Sequence, residues 1–467
     1  MDQITNHCLN VEKIRAQTRN FFARGQKIKI YHGSTYSSRA QNFAKDQIVD
    51  ISQLNNIIEI NSAERYALVE PNTPMEKLVE TTLKYQLAPP VVMELPGITV
   101  GGGVQGGAGE SSSFKYGLFH DTCLEYEIVL GNGEILTASP TKNDDLFFGT
   151  ACSYGTLGII TSVKIKLVPV KNYVRLTYYK VKSFEEAVDL LERAVKETTE
   201  FVDGIMFTRD RGVIMVGEFT DEAVPPVATF GKKSDEWFYL HADKISKKPK
   251  KDSETIPIKD YFFRYDRGTF WMGYHFFHFY KIPFIRFLRF ILSDIMSAHK
   301  LVRLAQETNI TQRYFIQDLN IPRENILTFL RYIDERLGIY PLWLCPLRPD
   351  GKNKLSPNYL KTNLVINVGV YGKTTRGFKN FLSENKDVEN KVAALQGRKV
   401  LYAHVYYSLD DFWKIYDRSW YNALRERYFA TKVFPDIYDK VRVTERYKSS
   451  VIAGLWRALL DEKIPVS

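Results

Sequence analysis

The chain has 467 residues, too many for one ordinary hydrophobic core, so two or three domains are expected. Hydrophobic residues make up 44% and charged residues 25%, which excludes global disorder. A net charge of +10 suits an anionic partner, and with no recognition motif beside it a nucleic acid is not expected.

The first 20 residues read as a helix with Val11, Ile14 and Thr18 on one face. "KIKIYHG" (27–33) is a strand entering a turn, and 47–72 is a string of short strands. "TPMEKLVETTLKYQL" (73–87) carries helical spacing at Met75, Leu78, Val79 and Leu83, with Thr73 expected as its N-cap. "CLEYEIVLGNGEILTAS" (123–139) is a hairpin whose Gly131-Asn132-Gly133 turn supplies positive φ angles. A strand alternating Val163, Ile165 and Leu167 follows, and the composition shifts after Pro169.

Beyond that point strands and helices alternate. Ser183 and Glu186 form a capping box for a helix, and "GIMFTRDRGVIMVGEF" (204–219) is a second hairpin. The lysine-rich 243–254 reads as an exposed loop, and 261–296 is dominated by aromatics. Strands are expected at 342–349, 364–372 and 400–409, the last placing His404 and Tyr406 on one face. Helices close the chain from 410 onward.

The four cysteines, Cys8, Cys123, Cys152 and Cys345, form no CxxC pair and no His-Cys metal spacing. Free thiols in a reducing compartment and no metal are expected. The N-terminus has no apolar core of a secretory signal, and no stretch offers the roughly 18 uncharged apolar residues of a membrane span.

Chemistry concentrates in "GITVGGGVQGGAGESSSFKYG" (97–117), which holds eight of the 28 glycines. Bare backbone N–H groups can close on an anionic ligand that side chains would obstruct. A dinucleotide fingerprint would need a strand just before and a helix just after, but Pro96 precedes the run and "ESSSFKYG" is a poor helix. No Gly-Lys-Ser/Thr follows either, which excludes a P-loop.

The segments "PGITVGGGVQGGAGESSSFKYG", "EYEIVLGNGEILTAS" and "NDDLFFGTACSYGTLGIITSVKIKLVP", with the turn "HGSTYSS" (32–38), resemble the FAD-binding domain of vanillyl-alcohol-oxidase-type (PCMH-type) flavoproteins. With "FTDEA" (219–223), "YPLWLCP" (340–346), "VGVYG" (368–372), "LYAHVYYSLDDFW" (401–413) and "FPDIYDKV" (434–441), the chain resembles the Δ24-sterol reductases nearly end to end. The resemblance implies an α+β fold: a two-subdomain FAD-binding domain over 1–172, a substrate domain of antiparallel sheet covered by helices over 173–425, and a C-terminal helical segment, 426–467, returning toward the flavin domain.

It also implies site residues. Pro96, Gly97, Ile98, Thr99, Gly102, Gly103, Gly106, Gly107, Gly109, Ser112, Ser113 and Tyr116 would wrap the FAD pyrophosphate and ribityl chain. Gly33, Ser34, Thr35, Tyr36 and Ser37 would form the other half of the clamp, and Gly155, Thr156, Gly158 and Ile159 would hold the adenine side. Some members bond FAD through a His in the short loop; the matching position here is Tyr36, so non-covalent FAD is expected, with His32 pointing away.

The implied reaction reduces the C24–C25 double bond of a sterol such as desmosterol, with NADPH as transient electron donor. That alkene is unactivated, so an acid must accompany the hydride. Glu110 is the first candidate, its pKa raised by an apolar pocket, followed by Tyr406 and His404. Tyr371 and Arg348 are candidates to contact substrate, and Arg264, Arg267 or Lys115 to meet the NADPH phosphates. Relatives carry an N-terminal membrane anchor that this chain lacks, so a cytoplasmic location is expected. The alternative is peripheral membrane contact through the aromatic and basic 270–292, whose other reading is a buried wall of the sterol pocket. Two competing functions are an alcohol or sugar oxidase of the same flavin family, and a non-catalytic flavin- or sterol-binding protein.

Overall fold

The computed structural model describes residues 2–33, 35–39, 43–249, 252–308, 310–374 and 377–443. The expected amphipathic first helix spans Gln3–Arg24, with His7, Val11, Ile14 and Thr18 buried. Asp2 caps it by accepting from the Thr5 N–H at 2.7 Å, and Gly25 ends it at φ 61°.

Two antiparallel sheets organise the rest. The first has five strands in the order Ile57–Asn61, Tyr66–Val69, Ile159–Lys166, Cys123–Val129 and Ile135–Ala138. The hairpin at 123–138 forms as expected, although Gly133 alone of its turn glycines takes a positive φ, 82°. Thr73 does not cap the following helix, Met75–Leu83; its hydroxyl donates to the Asn56 carbonyl at 3.0 Å, and Pro74 stands at the cap position.

The second sheet has eight strands in the order Asp252–Pro257, Tyr173–Val181, Arg211–Thr220, Phe201–Thr208, Leu342–Leu347, Val365–Lys373, Tyr314–Pro322 and Arg398–Lys399. This is the α+β architecture the sequence led us to expect. The helices Phe184–Ala194 and Ile326–Arg336 cover one face. Ser183 caps the first, accepting from the Glu186 N–H at 3.1 Å, while Glu186 reaches back to the Lys182 N–H at 2.8 Å.

Strand pleating decides what the other face presents, because neighbouring side chains point to opposite sides. Along Tyr314–Pro322, Phe315, Leu319 and Ile321 enter the helix-covered core, while Ile316, Asp318 and Asn320 line a cavity. Along Val365–Lys373, Ile366, Val368 and Val370 are core, while Asn367 and Tyr371 line the cavity.

Within the glycine run, Val100–Gly106 is helical, capped by Thr99, whose hydroxyl accepts from the Gly102 N–H at 3.2 Å. Packing overrides the poor helix propensity of glycine, since a Cβ at Gly103 would lie 2.5 Å from Met93 Sδ and 2.9 Å from Phe119. The strand expected over 400–409 is missing; regular pairing stops at Lys399. Side chains take the carbonyls a partner strand would need. Arg39 donates to those of Leu401 and Ala403, Ser37 to Tyr402 at 2.8 Å, and Lys399 to His404 at 2.5 Å.

The chain then returns to the first sheet. Tyr421 donates to the Thr156 hydroxyl at 2.9 Å, and Arg425 to the carbonyls of Thr156 and Pro435, each at 2.7 Å.

Candidate flavin and substrate site

A cavity of about 430 Å³ lies where the glycine run, the short loop at 35–39 and the open face of the large sheet meet. Thr35, Tyr36, Ser37, Gly97, Ile98, Thr99, Gly102, Gly106, Gly107, Gly109, Glu110, Gly155, Gly158, Ile159 and Tyr371 all line it. The sequence placed these residues together, and His32 lines the cavity as well.

Other named residues lie outside the cavity wall. Gly33, Pro96 and Gly103 do not line it. The Ser112 hydroxyl donates to the Pro90 carbonyl at 2.8 Å, and Ser113 Oγ accepts from the Glu110 N–H at 2.9 Å. Tyr116 meets Glu200 at 3.4 Å, and Thr156 is held by Tyr421. Arg348 is a brace, donating to the carbonyls of Lys115 at 3.2 Å and Tyr116 at 3.0 Å. Tyr406 is buried edge-on to Phe381, with its N–H donating to Glu389 at 3.0 Å. His404 donates from Nε2 to the Ser38 carbonyl at 3.0 Å; burial, with Arg39 and Lys399 nearby, pulls its pKa down to about 3. A neutral imidazole engaged this way orients the short loop and has no proton to give at neutral pH. Ser34 and the chain beyond 443 lie outside the described residues.

One end of the cavity suits an anion. A Cβ at Gly106 would meet nothing within 4 Å, so a side chain there would fill the space beside the glycine wall. Lys440 Nζ lies 3.5 Å from the Cβ position of Gly155. Burial, with Arg39 and Lys29 adding their charges, pulls the Lys440 pKa down to about 8. Lys440 and Arg39 both line the cavity, and Lys440 makes no ion pair among the described residues. Sequence reasoning missed Lys440 because only the returning C-terminal segment carries it here.

The other end is acidic and apolar. Glu94 and Glu110 both line the cavity, and each is among the causes of the other's shifted ionisation. The Glu94 N–H also donates to Glu110 Oε1 at 3.4 Å, and Glu110 Oε2 has no hydrogen-bond partner among the described residues. Burial pushes the Glu94 pKa up to about 8 despite Arg264. It pushes Glu110 well above the usual carboxylate range, with Glu94 as the second cause. Arg264 is balanced first by Asp203, which it meets at 2.9 Å against 3.5 Å for Glu94. Tyr265 and Trp343 also donate to Asp203, at 2.8 and 3.1 Å. With Arg264 turned mainly to Asp203, burial favours the neutral form of both carboxyls.

Beside the pair, Asp318 accepts from Tyr371 and Tyr402 at 2.7 Å each, with burial raising its pKa to about 6. Phe270, Phe276, Leu301, Leu304 and Ile316 close the apolar end. The residues expected to meet NADPH phosphates are engaged elsewhere: Arg264 is buried on Asp203, Lys115 pairs with Glu200 at 2.7 Å, and Arg267 donates to Gly231 and Ser293. The polar face of "YFIQDLNIP" was the one available signal for Asp318 and Asn320; Glu94 carried none.

The family model for an FAD binding domain matches residues 9–139. The Delta(24)-sterol reductase of Homo sapiens is 30% identical over 453 residues, covering 94% of this chain and 87% of that protein. The chain belongs to the Δ24-sterol reductase family. Its Arabidopsis thaliana relative of the same description is 30% identical over 452 residues, covering 88% of this chain and 79% of that protein. A Caenorhabditis elegans homolog is 28% identical over 93% of this chain and 87% of its own length.

The chain is therefore an FAD-binding oxidoreductase of the Δ24-sterol reductase family, and its cavity fits the cofactor. The glycine wall leaves room for it, and the cavity-lining Lys440 and Arg39 match its pyrophosphate in charge. Replacing Lys440 with Ala is expected to weaken FAD binding about tenfold, the scale of one charge-assisted hydrogen bond. Titrating apoprotein with FAD and following flavin fluorescence measures this; an unchanged dissociation constant removes Lys440 from the site.

Proposed function

We propose that the protein reduces the side-chain C24–C25 double bond of a sterol such as desmosterol, with non-covalent FAD and with NADPH as transient electron donor. The observation that supports this reading is a proton-holding carboxyl pair, Glu94 and Glu110, set against an apolar cavity in a member of this family.

Reduced FAD, when bound, supplies a hydride. The chain's own residues do the rest. The apolar wall takes the sterol side chain out of water, where an unpolarised alkene needs an acid as well as a hydride. The Glu110 carboxyl gives its proton to C24, and the alkene electrons form that C–H bond. Positive charge develops on the tertiary C25, where a hydride would complete the reduction. Aromatic faces at Phe270, Phe276 and Trp343 stabilise that charge by about 1 kcal/mol each. The carboxylate left on Glu110 beside Glu94 then takes a replacement proton from solvent.

The test is anaerobic. The holoenzyme is reduced with NADPH, desmosterol is added, and flavin absorbance and sterol product are followed. Reoxidation with formation of cholesterol is expected. Reduction without reoxidation removes this sterol as acceptor. If NADPH fails to reduce the flavin while oxygen reoxidises it with peroxide release, the oxidase reading replaces this one.

A further inference from the structure

The aromatic segment 270–292 supplies two surfaces. Its first helix, Met272–Phe279, gives Met272, His275 and Phe276 to the cavity. The next, Arg286–Ile291, buries no residue. Ile285, Phe287, Phe290 and Ile291 are 53, 67, 52 and 55% exposed. The other exposed large hydrophobics among the described residues occur singly or in pairs, whereas these four fall within seven positions. Scattered exposure is ordinary; a cluster on one short helix is not.

The helix is held with this face outward. Leu288 and Leu292 pack on the core, and the Arg289 guanidinium turns in over the rings of Phe284 at 4.9 Å and Trp237 at 5.6 Å. Lys281 and Arg286 stand exposed beside the apolar residues. The nearby acid Asp294 is balanced by Lys233 at 2.6 Å. The next helix, Ala298–Glu307, returns to the cavity with Leu301, Leu304 and Ala305.

We propose that the face formed by Ile285, Arg286, Phe287, Phe290 and Ile291 docks on an anionic lipid bilayer, without crossing it, beside the apolar end of the cavity. Aromatic and branched side chains mixed with Lys and Arg match the headgroup–acyl boundary, and anionic headgroups complement both the local cations and the chain's +10 charge. No helix of the described residues is long and apolar enough to cross a membrane. The docking surface stands on exposure and charge; that it also delivers substrate to the cavity rests on the sterol reading above.

Flotation of the full chain with sterol-free vesicles tests the surface independently of catalysis. The wild type is expected to float with phosphatidylcholine vesicles containing phosphatidylserine, and to be released as salt rises. A Phe287→Glu, Phe290→Glu double variant is expected to lose at least about tenfold in bound fraction at an unchanged melting temperature. Lys281→Ala with Arg286→Ala is expected to reduce the preference for phosphatidylserine. The proposal is overturned if the wild type stays unbound, or if the double variant floats as the wild type does. It is equally overturned if the wild type elutes as a dimer that the double variant turns into a monomer, since the face would then be buried between copies.

Discussion

Replacing Glu110 by Gln is expected to slow sterol-driven reoxidation of the flavin by about 10²–10⁴-fold, the contribution of a positioned general acid. The amide keeps the shape of the side chain and cannot release a proton, so flavin content and the melting temperature should stay near wild type. The wild-type pH profile carries the same information. Burial favours the neutral carboxyl in both members and raises Glu110 well above the usual carboxylate range, so the donor keeps its proton at neutral pH and loses it only on the alkaline side. The rate should therefore fall as pH rises into the alkaline range, and this limb should vanish in Glu110→Gln. Full activity in that variant would show that the proton comes from elsewhere, with Tyr371 and Asp318 the next groups to test.

Replacing Arg264 by Ala is expected to destabilise the protein by about 3–5 kcal/mol, the cost of leaving one partner of a buried ion pair alone. Asp203 and Arg264 are each 1% exposed, so water cannot take over from the missing guanidinium. The hydrogen bonds from Arg264 to Asp203 and to the Tyr261 carbonyl, both 2.9 Å, are lost together. Adding Asp203→Asn should recover part of the loss, because it removes the stranded charge. Urea unfolding of the holoenzyme reads both effects, and a single variant that unfolds like the wild type would contradict the argument. A chemical readout accompanies the physical one. Arg264 restrains the rise of the Glu94 pKa, so in whatever Arg264→Ala enzyme stays folded the alkaline limb should move to higher pH.

Much of this was legible in the amino-acid order because it depends on near neighbours. The apolar periodicity of the first helix, the Ser183 cap and the two hairpins are properties of a few consecutive residues, and each appears in the structure. So is the demand of the glycine run for a close ligand, although packing by Met93 and Phe119 winds part of it into a helix. The expected strand around His404 and Tyr406 fails for the complementary reason. Its carbonyls are claimed by Arg39, Ser37 and Lys399, and local propensity carries no trace of the first two.

The sequence by itself determined the α+β plan, the flavin-binding segments and Glu110 as a cavity carboxyl. Tertiary structure alone decided that Glu94 sits beside Glu110, that Arg264 belongs to Asp203, that Asp318 sits under two tyrosines and that Lys440 reaches the glycine wall. The reason is physical. Backbone conformation and amphipathic pattern are set within a turn or a strand, whereas a charge acquires its chemistry from burial and from whichever charges lie within a few ångströms, and those are brought there by the fold.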